Sequence, residues 1–297
     1  MSRVRVAVID VGANTLRLLV AGPAGGGVVA VHEEREQLGL GQEVERHGSI
    51  SEHKIARAAE VARAQTRKAR RLGCERVEIV VTSPGRQSSN GTEFAAALAQ
   101  AAGVPARILP AEEEGALAWE GAVAALDDAP ESIAVCDVGG GSTQMVVGSR
   151  AGGPAWARSV DLGSLRLTER LLDADPPARE EIAAARAEVA GAFSTVAPPV
   201  AQLGLAAGGT ARALGRLIDR LGPDELEEAI GRLSRLRRVK MTKQLGVPPQ
   251  RAATLLAGAI LFAEVQKRIG VPLGIAEGGV REGCALALFR ESLSAYG

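Results

Sequence analysis

The sequence predicts an α/β protein of two similar halves facing each other across a cleft. Two stretches echo one another, Asp10-Val11-Gly12-Ala13-Asn14-Thr15 and Asp137-Val138-Gly139-Gly140-Gly141-Ser142-Thr143, and each closes an apolar run that reads as a buried strand. After each, short β-type segments give way to alternating helical and strand patterns, which is the signature of α/β architecture. At 297 residues the chain is long enough for two domains of ordinary size. Hydrophobic residues make up 46% of it but aromatics only 2%, so the cores are built from Ala, Val, Leu and Ile. Small side chains offset the missing aromatic bulk by letting helices approach closely.

The elements follow in order. Residues 4–9, 16–20 and 28–31 are short β-type segments separated by Gly-rich turns and form an antiparallel meander. Ser51 is a helix N-cap and Glu52 complements the dipole, while Ile55, Ala58, Ala59, Ala62, Thr66, Ala69 and Leu72 repeat at helical spacing. The cluster Arg67, Lys68, Arg70 and Arg71 reads as the solvated end of that helix. A strand at 77–81, a helix at 92–102, a strand at 106–109 and a helix from Pro110 complete the first half. The second half restarts with strands at 133–136 and 145–147 on either side of the glycine turn, and a third at 155–160. Helices are expected at 164–172, 179–196, 210–221, 224–245 with a break, and 249–269, then a strand at 273–276 and a last helix at 279–292. Asp175-Pro176-Pro177 and Pro198-Pro199 mark loops. No low-complexity linker separates the halves, and the crossing falls in a helical stretch, so the expected domains are 1–118 and 119–279.

Composition narrows the function. Lys plus Arg and Asp plus Glu are 35 each, and without a basic excess a dedicated nucleic-acid binder is disfavoured. Cys74, Cys136 and Cys284 are widely spaced and sit in apolar contexts, which suits buried thiols of a reducing compartment. His32, His47 and His53 lack metal-ligand spacing and read as surface positions. The N-terminus enters a strand at once and no apolar run reaches the length of a membrane span, so the expectation is a cytoplasmic protein without membrane contact. The densest basic run is Arg232, Arg235, Arg237, Arg238, Lys240 and Lys243, either a track for a polyanion or a solvated face. No aromatic residue interleaves it, which argues against nucleic acid.

Both echoed turns are phosphate-loop candidates. A carboxylate at a strand end, Asp10 or Asp137, can hold Mg2+, and the glycines after it let the backbone turn tightly and aim N–H groups at an anion. Gly208-Gly209-Thr210 opens a helix, and its N–H groups form a further anion site or a simple cap.

These residues resemble the exopolyphosphatase and guanosine pentaphosphate phosphohydrolase (Ppx/GppA) family. Asp10 to Leu18 is similar to its first signature, Thr82-Ser83-Pro84-Gly85-Arg86-Gln87-Ser88-Ser89-Asn90 to its Thr-Ser-x-x-Arg-x-x-x-Asn segment, and Asp137 to Thr143 to its second phosphate loop. Glu113-Glu114-Gly115 stands at the position of its catalytic carboxylate, and Ala207 to Thr210 and Gly279 to Gly283 resemble two later signatures. The resemblance implies the actin-like ATPase (sugar kinase/Hsp70/actin) fold, two ribonuclease-H-like domains around a cleft, with the last helix at about 280–297 returning to the first domain. It implies hydrolysis of the terminal phosphoanhydride of inorganic polyphosphate or guanosine pentaphosphate (pppGpp), with Mg2+ or another divalent cation, by a homodimer.

Residue by residue, the resemblance makes Glu114 and Arg86 catalytic. It makes Gly12, Ala13, Asn14, Thr15, Gly139, Gly140, Gly141, Ser142, Thr143, Gly208, Gly209 and Thr210 phosphate-binding. Asp10 and Asp137 are the metal ligands, with Gln144 as a third in place of the family's Glu. The helix pattern itself picks Glu114 among three acids: the stripe Leu117, Ala118, Gly121, Ala122 and Ala125 extends back to Glu114, while Glu113 falls on its flank and Glu112 points away. An inward-facing glutamate is costly unless used or paired. Arg86 is placed in a loop after a strand, where its guanidinium can fork onto phosphate. Arg281 and Glu282 are expected to pair across the domain interface.

The chain departs from the family at Gln144, at Ala13 for a usual serine, and at Ala253 for a usual Asp. An amide oxygen is a weaker Mg2+ ligand and accepts no proton at neutral pH. Two other readings follow: a polyphosphate- or alarmone-binding regulator with weakened turnover, and, by fold analogy alone, a small-molecule kinase.

Overall fold

In the computed structural model, which describes residues 4–25 and 27–294, the first apolar run is strand β1 (Arg5–Val11), followed by β2 (Thr15–Ala24) and β3 (Gly27–Gln37). The three pair antiparallel as the expected meander. Next come α1 (Leu40–His47), α2 (Glu52–Arg71) and β4 (Cys74–Val81), then α3 (Ser83–Gln87), α4 (Gly91–Ala102), β5 (Ala106–Ile108) and α5 (Ala111–Val123). Ser51 caps α2, its hydroxyl accepting from the Lys54 backbone N–H at 3.4 Å. The predicted stripe is the buried face, with Ala58, Ala62, Thr66 and Ala69 turned inward.

By compactness the chain divides into residues up to Ala125 together with those from Val280 onward, and a second unit, Leu126–Gly279. Helix α5 runs through position 118 and ends at Val123. The second unit contains β6 (Ile133–Val138), β7 (Thr143–Ser149), β8 (Gly153–Val160), α6 (Ser164–Leu171) and α7 (Arg179–Ala192). These are followed by β9 (Leu203–Ala207), α8 (Gly208–Leu214), α9 (Pro223–Leu233), α10 (Arg238–Leu245), α11 (Pro249–Ile269) and β10 (Leu273–Ile275). Helix α12 (Val280–Ser294) then closes the first unit; residues 295–297 of the expected last helix lie outside the described residues.

The echo seen in the sequence is an echo of topology. One sheet has strand order β3-β2-β1-β4-β5 and the other, read from its far edge, β8-β7-β6-β9-β10. In each, three antiparallel strands from one hairpin succession are extended by two parallel strands. This is the duplicated ribonuclease-H-like arrangement of the actin-like fold, the α/β class expected. The second unit packs around α11, whose middle is buried, with Leu255, Leu261, Phe262 and Val265 fully so. In the first unit, one sheet face packs on α2 and α4, and the other is covered by α5 and by Cys284, Ala285, Leu288 and Phe289 of α12. Burying a side chain of that size contributes ~1.5–3 kcal/mol.

The structure corrects several expectations. Strand β9 was not expected, yet it is the parallel neighbour that places Ala207 beside Asp137. Helix α1 was not expected either, being only eight residues between two left-handed glycines. The helix expected at 210–221 stops at Leu214, and the one expected at 179–196 stops at Ala192. The break in 224–245 falls between α9 and α10. His47 and His53 are exposed, while His32 is partly buried and lies 2.9 Å from Glu34. All three cysteines are buried, and burial raises their thiols, Cys74 to about 11.

Candidate functional site

The two glycine turns are built alike. Gly12 N–H donates to Thr15 O at 3.0 Å in the first, and Gly139 N–H to Ser142 O at 3.0 Å in the second. Each turn joins two antiparallel strands, with Asp10 opposite Arg17 and Asp137 opposite Gln144. The carbonyl side of each turn is consumed by the helix that follows the meander. In the first unit Leu38 and Gly39 N–H donate to Asn14 O (2.9 and 3.1 Å) and Gly41 N–H to Ala13 O (2.7 Å). In the second, Ser164 N–H donates to Gly139 O (2.9 Å), and Leu165 and Arg166 N–H to Gly140 O (2.9 and 3.1 Å). With its carbonyls turned toward a helix N-terminus, a loop of this kind presents peptide N–H groups on its other side, the arrangement that binds anions. Helix α1, unread in the sequence, is thus what orients the first loop.

The expected Glu114 and Arg86 meet one another in the first unit. Glu114 is buried, with 8% of its surface exposed, whereas Glu113 pairs with Arg107 (2.5 Å) on the flank and Glu112 is exposed. Arg86 Nη1 donates to Glu114 Oε2 at 2.6 Å and to Leu109 O at 2.7 Å, which compensates the carboxylate's burial. Arg86 lies on the short helix α3 and not in a loop: Pro84 in the first turn favours the helix, which is too short to show a period. Thr82, at its start, donates its N–H to Val11 O at 3.0 Å, tying α3 to the strand end before Gly12. Asn90, matched in sequence, clamps Ile50 in both directions (2.8 and 3.0 Å) and serves the scaffold.

Asp10 is partly buried, and burial pushes its carboxyl above the usual range, opposed by the cations Arg17 and Arg281. Arg281 also donates to Glu33 at 2.7 Å and lies 3.5 Å from Glu282, both within its own unit. Thr15 Oγ1 accepts from Arg17 Nε at 3.0 Å. Arg17, Arg281 and Glu33 were not assigned from the sequence as site residues; the position of Arg17 opposite Asp10 in a hairpin was the available signal.

In the second unit Asp137, which leads into the loop Gly139 to Ser142, lies beside Gly208. Gly208 has φ of 83°, and a Cβ there would sit 2.3 Å from Asp137 Oδ1, so only glycine lets the turn from β9 into α8 pass over the carboxylate. Gly163 has the same kind of intimacy with the loop: its Cβ would meet Gly140 C and O at 2.5 Å. Gln144 is buried, and its Nε2 donates to Ser142 Oγ (2.9 Å) and Ser159 Oγ (3.2 Å). Thr143 spends its hydroxyl on Leu162 O at 2.7 Å, so of the predicted phosphate ligands its side chain serves the fold. Thr210 Oγ1 accepts from Arg251 Nη1 at 2.8 Å, adding an unforeseen cation to the Gly208-Gly209-Thr210 turn. Ala13 is buried and Ala253 partly buried.

Among the described residues no three His, Cys, Asp or Glu gather as a metal cluster. The donor set nevertheless fits Mg2+, which takes one or two carboxylates plus phosphate oxygens and waters in preference to an all-protein cage. Taken unit by unit, the first loop offers the carboxylate of Asp10, and the second offers that of Asp137 with the amide of Gln144 in register opposite it.

The chain matches the pattern of the Ppx/GppA phosphatase family over residues 19–291. It is 32% identical over 319 aligned positions to Exopolyphosphatase 2 of Mycobacterium tuberculosis, covering 97% of this chain and 99% of that one. Among solved structures it is similar to the Aquifex aeolicus member of the family, with 25% identity, a TM-score of 0.83 and coverage of 97% and 98%. It also matches an exopolyphosphatase-like protein with 27% identity, a TM-score of 0.88 and coverage of 99% and 100%.

Proposed function

Because this chain belongs to the Ppx/GppA phosphatase family and is a hydrolase of phosphoanhydride bonds, we propose that it releases the terminal phosphate of inorganic polyphosphate. The observation that carries the mechanism is the buried Glu114 held by Arg86 at 2.6 Å. Glu114 orders the attacking water and takes its proton as the oxygen attacks the terminal phosphorus; the chain shortened by one unit leaves. Phosphoryl transfer asks little covalent chemistry of the protein, so positioning and charge do the rest. Arg86 fixes the carboxylate and brings its guanidinium to the phosphoryl oxygens. Peptide N–H groups of Ala13 and Asn14, of Gly140 to Ser142 and of Gly208 to Thr210 take phosphate oxygens, while those of Gly12 and Gly139 brace their own turns.

Asp10 and Asp137, with Gln144 beside the latter, are the groups that would hold a divalent cation, whose chemistry is to neutralise phosphate charge. Polyphosphate is favoured over pppGpp by the name of the 32%-identical relative, Exopolyphosphatase 2. The deciding experiment measures phosphate release with Mg2+ from polyphosphates of several lengths and from pppGpp, side by side. Release from polyphosphate that is lost in Glu114→Gln is expected; release from pppGpp alone, or from neither, would overturn the reading.

A further inference from the structure

Residues 229–263 contain no Asp or Glu but seven cations, in a chain whose total charges balance at 35 and 35. Two of the seven are spent internally. Arg238 donates to Leu172 O (2.9 Å) and Asp173 O (3.2 Å), and Arg251 to Thr210 Oγ1 (2.8 Å). The other five, Arg232, Arg235, Arg237, Lys240 and Lys243, are exposed, and no ion pair joins any of them to an acid among the described residues. Their neighbours Leu233, Met241 and Leu245 are buried, so the packing of α9 and α10 turns the five outward together.

The placement costs the fold something. Arg237 caps α10, and Arg238 and Lys240 occupy a first turn that has no acid. Cations at the positive end of a helix are unfavourable, and acids are the usual choice. Asp175 accepts the Arg238 backbone N–H at 2.8 Å, and Glu181 lies close enough to feel the Arg238 charge. Compensation is thus confined to Arg238, and the exposed cations around it break a local rule in the way proteins do at functional surfaces. The run also leads to the anion turn of its own unit: Arg216, just after α8, donates to Leu245 O (3.2 Å) and Gly246 O (2.7 Å), and Arg251 at the start of α11 reaches Thr210.

We propose that Arg232, Arg235, Arg237, Lys240 and Lys243 form a docking track for the distal part of a long polyphosphate chain. The inference rests on the polyphosphate reading above and extends it from the terminal phosphate to the rest of the substrate. A flexible polyanion suits a row of mobile cations, because each phosphate neutralised releases a counterion. Nucleic acid is the poorer fit, since no aromatic residue lies between Phe193 and Phe262 to stack a base.

The test is the variant Arg235→Gln/Arg237→Gln/Lys240→Gln/Lys243→Gln, with Lys243→Glu alone as a milder second variant. Equilibrium binding of end-labelled long-chain polyphosphate and phosphate release from long chains and from tetraphosphate are followed across a salt series. The expected result is at least a tenfold loss of long-chain affinity at low salt and a salt slope shallower by roughly 3, at ~0.7 per charge for a single-stranded polyanion. Release from tetraphosphate stays within twofold. An unchanged ratio of long- to short-chain affinity with an unchanged salt slope would overturn the track. An oligonucleotide of equal charge that binds as tightly and loses as much would overturn the choice of partner. If the wild type releases phosphate from no polyphosphate, the hydrolytic reading fails, and the binding arm still decides the track.

Discussion

Gly163→Ala isolates the contact that supports the second loop. Gly163 is extended, with φ of −125° and ψ of 174°, a conformation alanine adopts without strain. The cost is one of space: the new Cβ would lie 2.5 Å from Gly140 C and O and 2.6 Å from Gly141 N, where ordinary contact begins at 3.4 Å. These are backbone atoms, so the loop or the start of α6 has to move by roughly 1 Å, a misplacement that elsewhere costs on the order of 10^2 in rate. Overpacking costs ~1–3 kcal/mol, and the stiffer unfolded chain offsets ~0.4–1 kcal/mol of that. A net loss of ~1–2 kcal/mol lowers the thermal midpoint by roughly 2–8 °C in a unit of this size. The assay is kcat and KM for phosphate release beside a melting curve. Gly231→Ala, in α9 with no atom within 4 Å of its Cβ, is the control and should gain up to ~1 kcal/mol. A Gly163→Ala protein with wild-type midpoint and turnover would refute the reasoning, because the loop would then yield without consequence.

Glu114→Gln should cut turnover by roughly 10^2 to 10^4 while equilibrium binding of polyphosphate is retained; a damaging Glu113→Gln beside a silent Glu114→Gln would reverse the assignment. Gln144→Glu places a second carboxylate opposite Asp137. Its midpoint should fall in chelator and recover with Mg2+, and the Mg2+ requirement for phosphate release should drop; identical metal titrations would show that the amide was sufficient. Glu181 accepts the N–H groups of Asp173, Ala174 and Ala178 (2.9, 3.0 and 2.6 Å), and the bonds from Ala174 and Ala178 chiefly hold its carboxyl below the ordinary 4.5. Its stabilisation is present above 4.5 and lost as pH falls through the lower folded value, so Glu181→Ala should lower the midpoint at pH 7 and converge with wild type in acid. A midpoint difference that persists at pH 2 would show that the carboxylate charge is not what anchors the 173–178 loop.

The loops were legible because the chain writes them twice, and Glu114 because an acid interrupts a buried stripe. What stayed illegible has physical causes. Strand β9 reads Leu-Gly-Leu-Ala-Ala and is buried almost throughout, so it carries no alternation to separate it from a short helix. Helix α1 buries only Leu40 and Val44, one turn's worth of pattern. Arg86 looked like a loop residue because Ser, Pro and Gly surround it, although Pro84 was itself a helix-start signal. The partners of the loop carbonyls, and the cations Arg251 and Arg281, come from elements distant in sequence, and no local period reveals them.

Helix α12 has a consequence for the order in which the protein is made. The sheet face bearing Val6, Val8, Leu19 and Val80 is covered by residues 284–289, which leave the ribosome after every element of the second unit. The unit Leu126–Gly279 is contiguous in the chain and can close its core as a nascent domain. The half synthesised first stays open longest, holding an apolar strand surface that chaperones would bind and that a stalled or truncated chain could never bury.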